Sequence, residues 1–216
     1  MREIKYIILH HSATDYRASA EDTTGKRIGK TICEHAKEQW QAQFPDYKCD
    51  YHFIIGHTGE VFNAQPMEQP SWHCTNYKVN LKSVGICFLG NFNTEKMPVA
   101  QLNAGVKLIK TLQEAFNTTP LNILRHKDIV SDITGRINST DCPGKNFPYT
   151  EIIKAITTEA PFADVGNAYL YLYELQTLKD LGIIQGDTNG NFNAGEYITR
   201  EEAMLIVYRI IQQIKK

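Results

Sequence analysis

The chain has 216 residues, with 23 basic and 24 acidic side chains, a formal net charge of −1 and an apolar share of 42%. This composition is typical of a folded protein and excludes a disordered or fibrous chain. Near-neutral charge argues against nucleic acid as a partner, because phosphate binding requires an excess of Lys and Arg. No apolar run approaches the roughly 20 residues of a membrane span.

Strand and helix signals alternate along the first part of the sequence. β-Branched and aromatic residues at 4–9 predict a buried strand that delivers His10, His11 and Ser12 to its C-terminal end. The further signals predict, in chain order, a helix over 28–40, a hairpin over 51–62, a strand over 83–89, a helix after Pro98 that reaches Phe116, a strand over 121–124 and a helix over 150–157.

This alternation predicts an α/β fold with a mixed central sheet flanked by helices. The residue pattern changes after residue 158, where two helical stretches flank a turn-rich centre over 182–195. We therefore expect two domains, residues 1–158 and 161–216, of which the second is a small all-α module. A module of that size is marginal for independent stability.

Five cysteines are present, an odd number without a Cys-x-x-Cys pair. This pattern disfavours a disulfide framework and a cysteine-rich structural zinc site. Cys33 and Cys87 lie on apolar faces and are expected to pack in the core. Cys142, in a Cys-Pro-Gly loop, is a poor candidate for core packing.

Three features offer metal ligands: the His10-His11 pair, His126 at another strand end, and Cys142. Two histidines and a cysteine would suit a catalytic zinc ion, which keeps three protein ligands and one open position. The long spacings are not diagnostic by themselves. Neighbouring side chains on a strand face opposite sides, so periodicity leaves open which histidine of the pair would be the ligand.

Five ordered motifs lie within roughly residues 1–158. They are Leu9-His10-His11-Ser12-Ala13-Thr14, Asp50-Tyr51-His52-Phe53-Ile54-Ile55, Trp72-His73 followed by Asn80-Leu81-Lys82-Ser83-Val84-Gly85-Ile86, Arg125-His126-Lys127-Asp128, and Thr140-Asp141-Cys142-Pro143-Gly144. These motifs resemble those of the zinc N-acetylmuramoyl-L-alanine amidases, including the phage-lysozyme-type enzymes and the animal peptidoglycan recognition proteins. The stretch from Gly85 to Phe92 is especially similar to the recognition-protein branch.

The resemblance implies a role for seven residues. It implies that His10, His126 and Cys142 bind zinc, with His11 beside the site, and that Tyr51 and Thr140 are catalytic. It also implies that His73 and Asn80 line the substrate groove. The sequence departs from some relatives at Cys87, which stands where they carry a glutamate. Without a carboxylate base at this position, proton transfer to the leaving amine would fall to Tyr51, Thr140 or water.

The implied activity is hydrolysis of the amide bond between N-acetylmuramic acid and L-alanine in peptidoglycan. Zinc lowers the pKa of a bound water from about 16 toward about 7 and so supplies hydroxide at neutral pH. The alternative function is a peptidoglycan receptor that does not hydrolyse its ligand. Receptors of this family generally lack the zinc cysteine, so Cys142 favours the enzyme. Thr140 also has a plainer interpretation, as a turn residue whose hydroxyl bonds the backbone.

Four motifs follow one another in the C-terminal residues 161–213: Phe162-Ala163-Asp164-Val165, Leu181-Gly182-Ile183-Ile184-Gln185-Gly186, Asn189-Gly190-Asn191-Phe192 and Ile198-Thr199-Arg200-Glu201-Glu202. They resemble one surface-layer-homology module, a two-helix unit that holds proteins to secondary polymers of the bacterial wall. It implies that Arg200 and Glu202 bind the polymer, while Thr199 has the type and position of a helix N-cap.

Such modules normally work as three copies, whereas this sequence contains one. Either the chain self-associates, as a homo-oligomer such as a trimer, or the module binds weakly alone. The resemblance places the protein at the bacterial wall, on its extracellular face. Met1–Lys5 lead into a four-residue apolar run instead of a signal peptide's about 7–15 residues. We therefore expect release by phage lysis or by a non-classical route.

Overall fold

Two parallel strands, one buried throughout and the other buried except at its first residue, form the centre of the larger part of the molecule. In the computed structural model, the described residues are 2–15, 21–24, 26–132, 134–137, 139–157, 161–165 and 172–214, without the side chains of 172–174. The elements are β1 (Tyr6–His11), α1 (Lys26–Trp40), β2 (Phe53–Ile55), β3 (Val61–Asn63), α2 (Tyr77–Leu81), β4 (Ser83–Phe88), α3 (Val99–Phe116), β5 (Ile123–Arg125), α4 (Tyr149–Thr157), α5 (Leu172–Asp180) and α6 (Arg200–Ile214), with 3₁₀ turns at Pro120–Asn122 and His126–Asp128.

The strands form one five-stranded mixed sheet in the order β3-β2-β4-β1-β5. β1 pairs in parallel with β4 and β5, β2 pairs in parallel with β4, and β3 is antiparallel to β2. The predicted α/β class with a mixed sheet is confirmed. Parallel pairing places the carboxyl ends of β1 and β5 at one edge of the sheet, which brings the segments after them together.

The predicted elements are all found, with shifts of a few residues at their ends. The helix α2 was not predicted. It is five residues long and begins after Asn76, whose side chain accepts a hydrogen bond from the Val79 N–H. A single turn of helix is too short to show an apolar period, so the sequence gives only the cap as a signal.

The core of the larger part contains a disulfide bond between Cys33 and Cys49. The sequence pattern disfavours a disulfide framework and predicts Cys33 only as a core residue, so this one bond corrects that expectation. Both residues are buried in the core, as predicted for Cys33, but α1 lies against the segment that leads into β2 and brings the two Cα atoms within 4.3 Å. The pairing depends on this tertiary contact, which a separation of 16 residues does not reveal. Cys87 is buried and unpaired, as predicted.

The chain divides into two compact units, residues 1–153 and 154–216. In the second unit, the helices α5 and α6 enclose a small core of Phe162, Val165, Leu175, Ile183 and Ile184, which agrees with the predicted all-α module. None of the helices among the described residues has both the length and the apolar character needed to cross a bilayer.

Candidate metal centre

The register of the central strands places two predicted metal ligands side by side. Leu9 of β1 pairs with Arg125 of β5, so the next residues along the two strands, His10 and His126, are neighbours. Their ring centroids are 4.7 Å apart. The two histidines, 116 residues apart in sequence, therefore meet because parallel strands end at the same edge.

Cys142 completes the cluster from a loop that is tied to both strands. Its backbone carbonyl accepts a hydrogen bond from the Lys127 N–H at 3.0 Å, and its Sγ accepts one from the His11 N–H at 3.4 Å. The Sγ lies 3.8 Å from Nδ1 of His10. The ligand atoms of His10, His126 and Cys142 all lie within 4.8 Å of one another.

Burial sets the protonation of these three side chains. It lowers the pKa of His126 to about 4, and it lowers the pKa of His10 well below the ordinary value, with a further contribution from the neighbouring His126 and His73. Burial also raises the pKa of the Cys142 thiol to about 11. Both imidazoles are therefore neutral near pH 7, which is the form that binds metals.

His10 and His11, the two candidate ligands of the pair, lie on opposite faces of β1. His10 faces His126 and Cys142, whereas Nδ1 of His11 accepts a hydrogen bond from the Phe92 N–H at 3.2 Å. The imidazole of His11 is thus engaged away from the cluster. The resemblance had implied this arrangement, and alternation along the strand is its physical reason.

The two predicted catalytic residues lie near the ligands. The Tyr51 ring is 5.1 Å from the His10 ring, and burial raises the Tyr51 pKa well above its ordinary value, so the phenol keeps its proton at neutral pH. The Thr140 hydroxyl oxygen accepts a hydrogen bond from the Cys142 N–H at 3.1 Å. Thr140 thus makes the backbone bond of a turn residue and supports the loop that carries the thiol.

The two predicted groove residues are both buried and hydrogen-bonded within the protein. His73 bonds His10, with 3.0 Å between Nδ1 of His73 and Nε2 of His10. Asn80 bonds Cys74, accepting from its N–H and donating from Nδ2 to its carbonyl at 2.7 Å. The contact of His73 with a proposed metal ligand had no signal in the sequence, because it joins residues 63 positions apart. The roles of both residues toward substrate stay predictions.

In the C-terminal unit, the Glu202 side chain is hydrogen-bonded to Thr199, the predicted N-cap residue. Its carboxylate accepts hydrogen bonds from the Thr199 N–H at 2.8 Å and from the Thr199 hydroxyl at 2.9 Å, while the Glu202 N–H donates to the Thr199 Oγ1. This reciprocal pattern is a capping box, which satisfies backbone donors at a helix start. The predicted N-cap Thr199 is confirmed, and the neighbouring Arg200 is exposed.

The fold and this site define a mixed α/β protein in which three segments bring together His10, His126 and Cys142, three side chains that could hold a metal ion. Residues 1–145 match the N-acetylmuramoyl-L-alanine amidase family, and residues 161–204 match the S-layer homology domain. The chain therefore belongs to the N-acetylmuramoyl-L-alanine amidase family and carries a C-terminal S-layer homology domain.

Several known proteins are similar to this chain. Peptidoglycan-recognition protein SC2 of Drosophila melanogaster is 29% identical over 148 residues, which span 66% of this chain and 70% of the relative. The solved structure of the N-acetylmuramoyl-L-alanine amidase LysC from Clostridium intestinale is 27% identical, with a TM-score of 0.54 over 70% of this chain and 83% of LysC. Drosophila PGRP-LB, at 24% identity and a TM-score of 0.51 over 70% of this chain and 81% of its own, shares the fold.

Proposed function

We propose that this protein is a zinc-dependent amidase that hydrolyses the bond between N-acetylmuramic acid and L-alanine in peptidoglycan. The observation that carries the proposal is the convergence of His10, His126 and Cys142, whose ligand atoms lie within 4.8 Å of one another. Membership of the amidase family and the similarity to LysC support the same reaction. The protein would act at the bacterial wall.

The donor set fits zinc. Two neutral imidazoles and one thiolate are ligands that zinc accepts, and three protein ligands leave the open position of a catalytic site. Nε2 of His126 is buried without a hydrogen-bond partner among the described residues, which is costly unless a ligand binds it. When bound, zinc would supply a Lewis acid that polarises the scissile carbonyl and activates water at neutral pH.

The side chains around the ligands would handle the developing charge and the protons. A Tyr51 phenol that stays protonated can donate a hydrogen bond to the carbonyl oxygen as negative charge builds on it. Thr140 fixes the loop of Cys142 and has a hydroxyl proton of its own to donate. Cys87 is buried with its pKa raised well above the ordinary value, so it supplies no anionic base in place of a glutamate.

The C-terminal domain would hold the enzyme to a secondary polymer of the wall, with Arg200 and Glu202 as binding residues. The exposed guanidinium of Arg200 follows the capping box directly and is available to an anionic polymer. The carboxylate of Glu202 already accepts two hydrogen bonds from Thr199 and would bind polymer with its remaining acceptor capacity.

Self-association through this domain is part of the proposal. Helix α6 exposes apolar side chains at helical spacing, Met204, Val207, Tyr208, Ile211 and Ile214, each 43–79% exposed. A second copy that supplies the same stripe could cover them, because an apolar row of this kind packs well against its equivalent. Sedimentation of the full chain should show oligomers, and Val207→Glu together with Ile211→Glu should yield monomers. A monomeric unchanged protein would contradict this part.

A non-catalytic peptidoglycan receptor is the second candidate function. The similarity to proteins named for peptidoglycan recognition favours it. The complete set of His10, His126 and Cys142 favours the enzyme, because a receptor has no need of a catalytic metal ion.

Digestion of purified peptidoglycan separates these functions. The proposed enzyme should release new alanine amino termini without new reducing sugar ends, lose this activity to a chelator and regain it with zinc. Reducing ends without amino termini would indicate a glycosidase. Neither product, with the protein still sedimenting with the peptidoglycan, would indicate the receptor. A sedimentation assay tests the anchor. A smaller fraction of the protein should sediment with walls stripped of secondary polymer than with intact walls.

A further inference from the structure

His10 has two ring nitrogens with different surroundings. Nδ1 lies 3.8 Å from the Cys142 sulfur, inside the ligand cluster, while Nε2 lies 3.0 Å from Nδ1 of His73. A neutral imidazole carries its proton on one nitrogen only. For Nδ1 to offer a lone pair to a metal ion, Nε2 must carry the proton and donate it to His73.

The hydrogen bonds continue from His73 to the central strand. Nε2 of His73 lies 2.8 Å from the Ser83 hydroxyl oxygen. If Nδ1 of His73 accepts from His10, then Nε2 of His73 carries the proton and donates it to Ser83. The chain of bonds His10 to His73 to Ser83 is therefore consistent with the metal-binding tautomer of His10. In the reverse orientation, with Ser83 as donor, a proton would sit on Nδ1 of His10.

The imidazole of His73 lies in the space that a side chain at position 85 would fill, because residue 85 is a glycine. A Cβ atom built on Gly85 would lie 2.7 Å from both Cγ and Cδ2 of His73, which is closer than real contacts allow. Ser83 and Gly85 are two residues apart on β4 and so present the same face of the sheet. One strand therefore gives the ring both its hydrogen-bond acceptor and the space in which it lies.

We propose that His73 is a positioning residue for the metal centre, which fixes the tautomer and the ring orientation of His10, and that Gly85 is required because its hydrogen leaves room for His73. Histidine ligands of metal ions generally donate their second N–H to a fixed partner, and removing such a partner weakens metal affinity about 10–100-fold. This inference rests on the proposed zinc site.

The test is a zinc competition titration of the full chain against a chromophoric chelator, with the visible spectrum of the Co²⁺-loaded protein as a second readout. His73→Leu and Gly85→Ala should each weaken zinc binding about 10–100-fold and change the Co²⁺ spectrum. Ser83→Ala should weaken it less. His73→Gln should retain most of the affinity, because an amide can accept from His10 and donate to Ser83.

Gly105→Ala is the matched control. A Cβ at this α3 glycine would collide with the ring of Phe88, so the variant carries a comparable steric fault in the core, away from His73. It should lower the melting temperature without changing zinc affinity. The inference would be overturned if His73→Leu and Ser83→Ala bound zinc as tightly as the unchanged protein. It would also be overturned if Gly105→Ala lost as much zinc affinity as Gly85→Ala. An unchanged protein that binds no zinc would instead refute the proposed function.

Discussion

His10 and His11 are adjacent in the chain, yet their imidazoles lie on opposite faces of β1. The ring of His10 lies 4.7 Å from that of His126, while the ring of His11 accepts a hydrogen bond from the Phe92 backbone. Alternation along a strand produces this separation, and only one histidine of the pair reaches the ligand cluster.

Substitution of the two histidines should therefore have different effects. His10→Ala should remove a ligand and weaken zinc binding by more than about 100-fold, beyond the usual effect of an outer partner. His11→Ala should keep zinc but lower the free energy of unfolding by about 1–3 kcal/mol, because the buried Phe92 N–H loses its acceptor. Zinc content after gel filtration and urea unfolding measure the two effects. Loss of zinc from His11→Ala alone would contradict the assignment.

Tyr51→Phe removes only the phenolic hydroxyl. If this group stabilises charge on the carbonyl oxygen, kcat should fall by about 10²–10³-fold, the usual effect of losing one such donor. Zinc affinity should stay unchanged, because the ring next to His10 is retained. Steady-state kinetics on a soluble muropeptide gives kcat and KM separately. A change in KM alone would assign Tyr51 to substrate binding.

The Cys33–Cys49 bond should stabilise the larger unit by restricting the unfolded chain. For a closed loop of this size, the expected contribution is about 3 kcal/mol. Replacing both cysteines by alanine should lower the free energy of urea unfolding by that amount, and a reducing agent should have the same effect on the unchanged protein. The reducing agent should have no further effect on the double variant, and a response there would point to another cause.

Lys110 is buried in α3, and burial lowers its pKa from 10.5 to about 8. Between these two values the unfolded chain binds more protons than the folded one, so the contribution of Lys110 to stability rises as the pH rises from about 8 to 10.5. Below pH 8 the protonated amine is unfavourable. Lys110→Met should therefore raise the melting temperature at pH 7 by about 2–4 °C. The difference between the two proteins should shrink by pH 10, and a constant difference would exclude the titration.

Glu202 is both a cap and a predicted polymer ligand, and two substitutions separate these roles. Glu202→Gln should largely preserve the capping box, since glutamine also serves at that position, but removes the charge. Glu202→Ala removes one half of the capping box and should lower the melting temperature of the C-terminal unit. If the carboxylate binds the wall polymer, both variants should sediment less with intact walls. If Glu202→Gln binds intact walls as well as the unchanged protein, Glu202 acts as a helix cap and not as a polymer ligand.

The alternation of strands and helices could be predicted from the sequence because each element carries its own period. Apolar residues recur every four positions over 28–40, and this stretch lies in α1. The apolar run after Ser83 forms β4. Thr199 could be identified as a cap from its residue type and its position before a helical stretch, and the structure adds its partner Glu202 three residues away. The His10-His11 pair, His126 and Cys142 could be named as candidate ligands from residue type and position. The selection of His10 within the pair was implied only by the resemblance to known motifs, because the long spacings are not diagnostic.

Only the tertiary structure decided which side chains meet. Whether His10 or His11 faces His126 depends on the pairing of β1 with β5, and the bond between Cys33 and Cys49 depends on where α1 packs. The contact of His73 with His10, and the need for Gly85 beneath it, arise between segments far apart in the chain. Local periodicity fixes the type of an element, whereas contacts across the sheet depend on register and packing, which no single segment of sequence encodes.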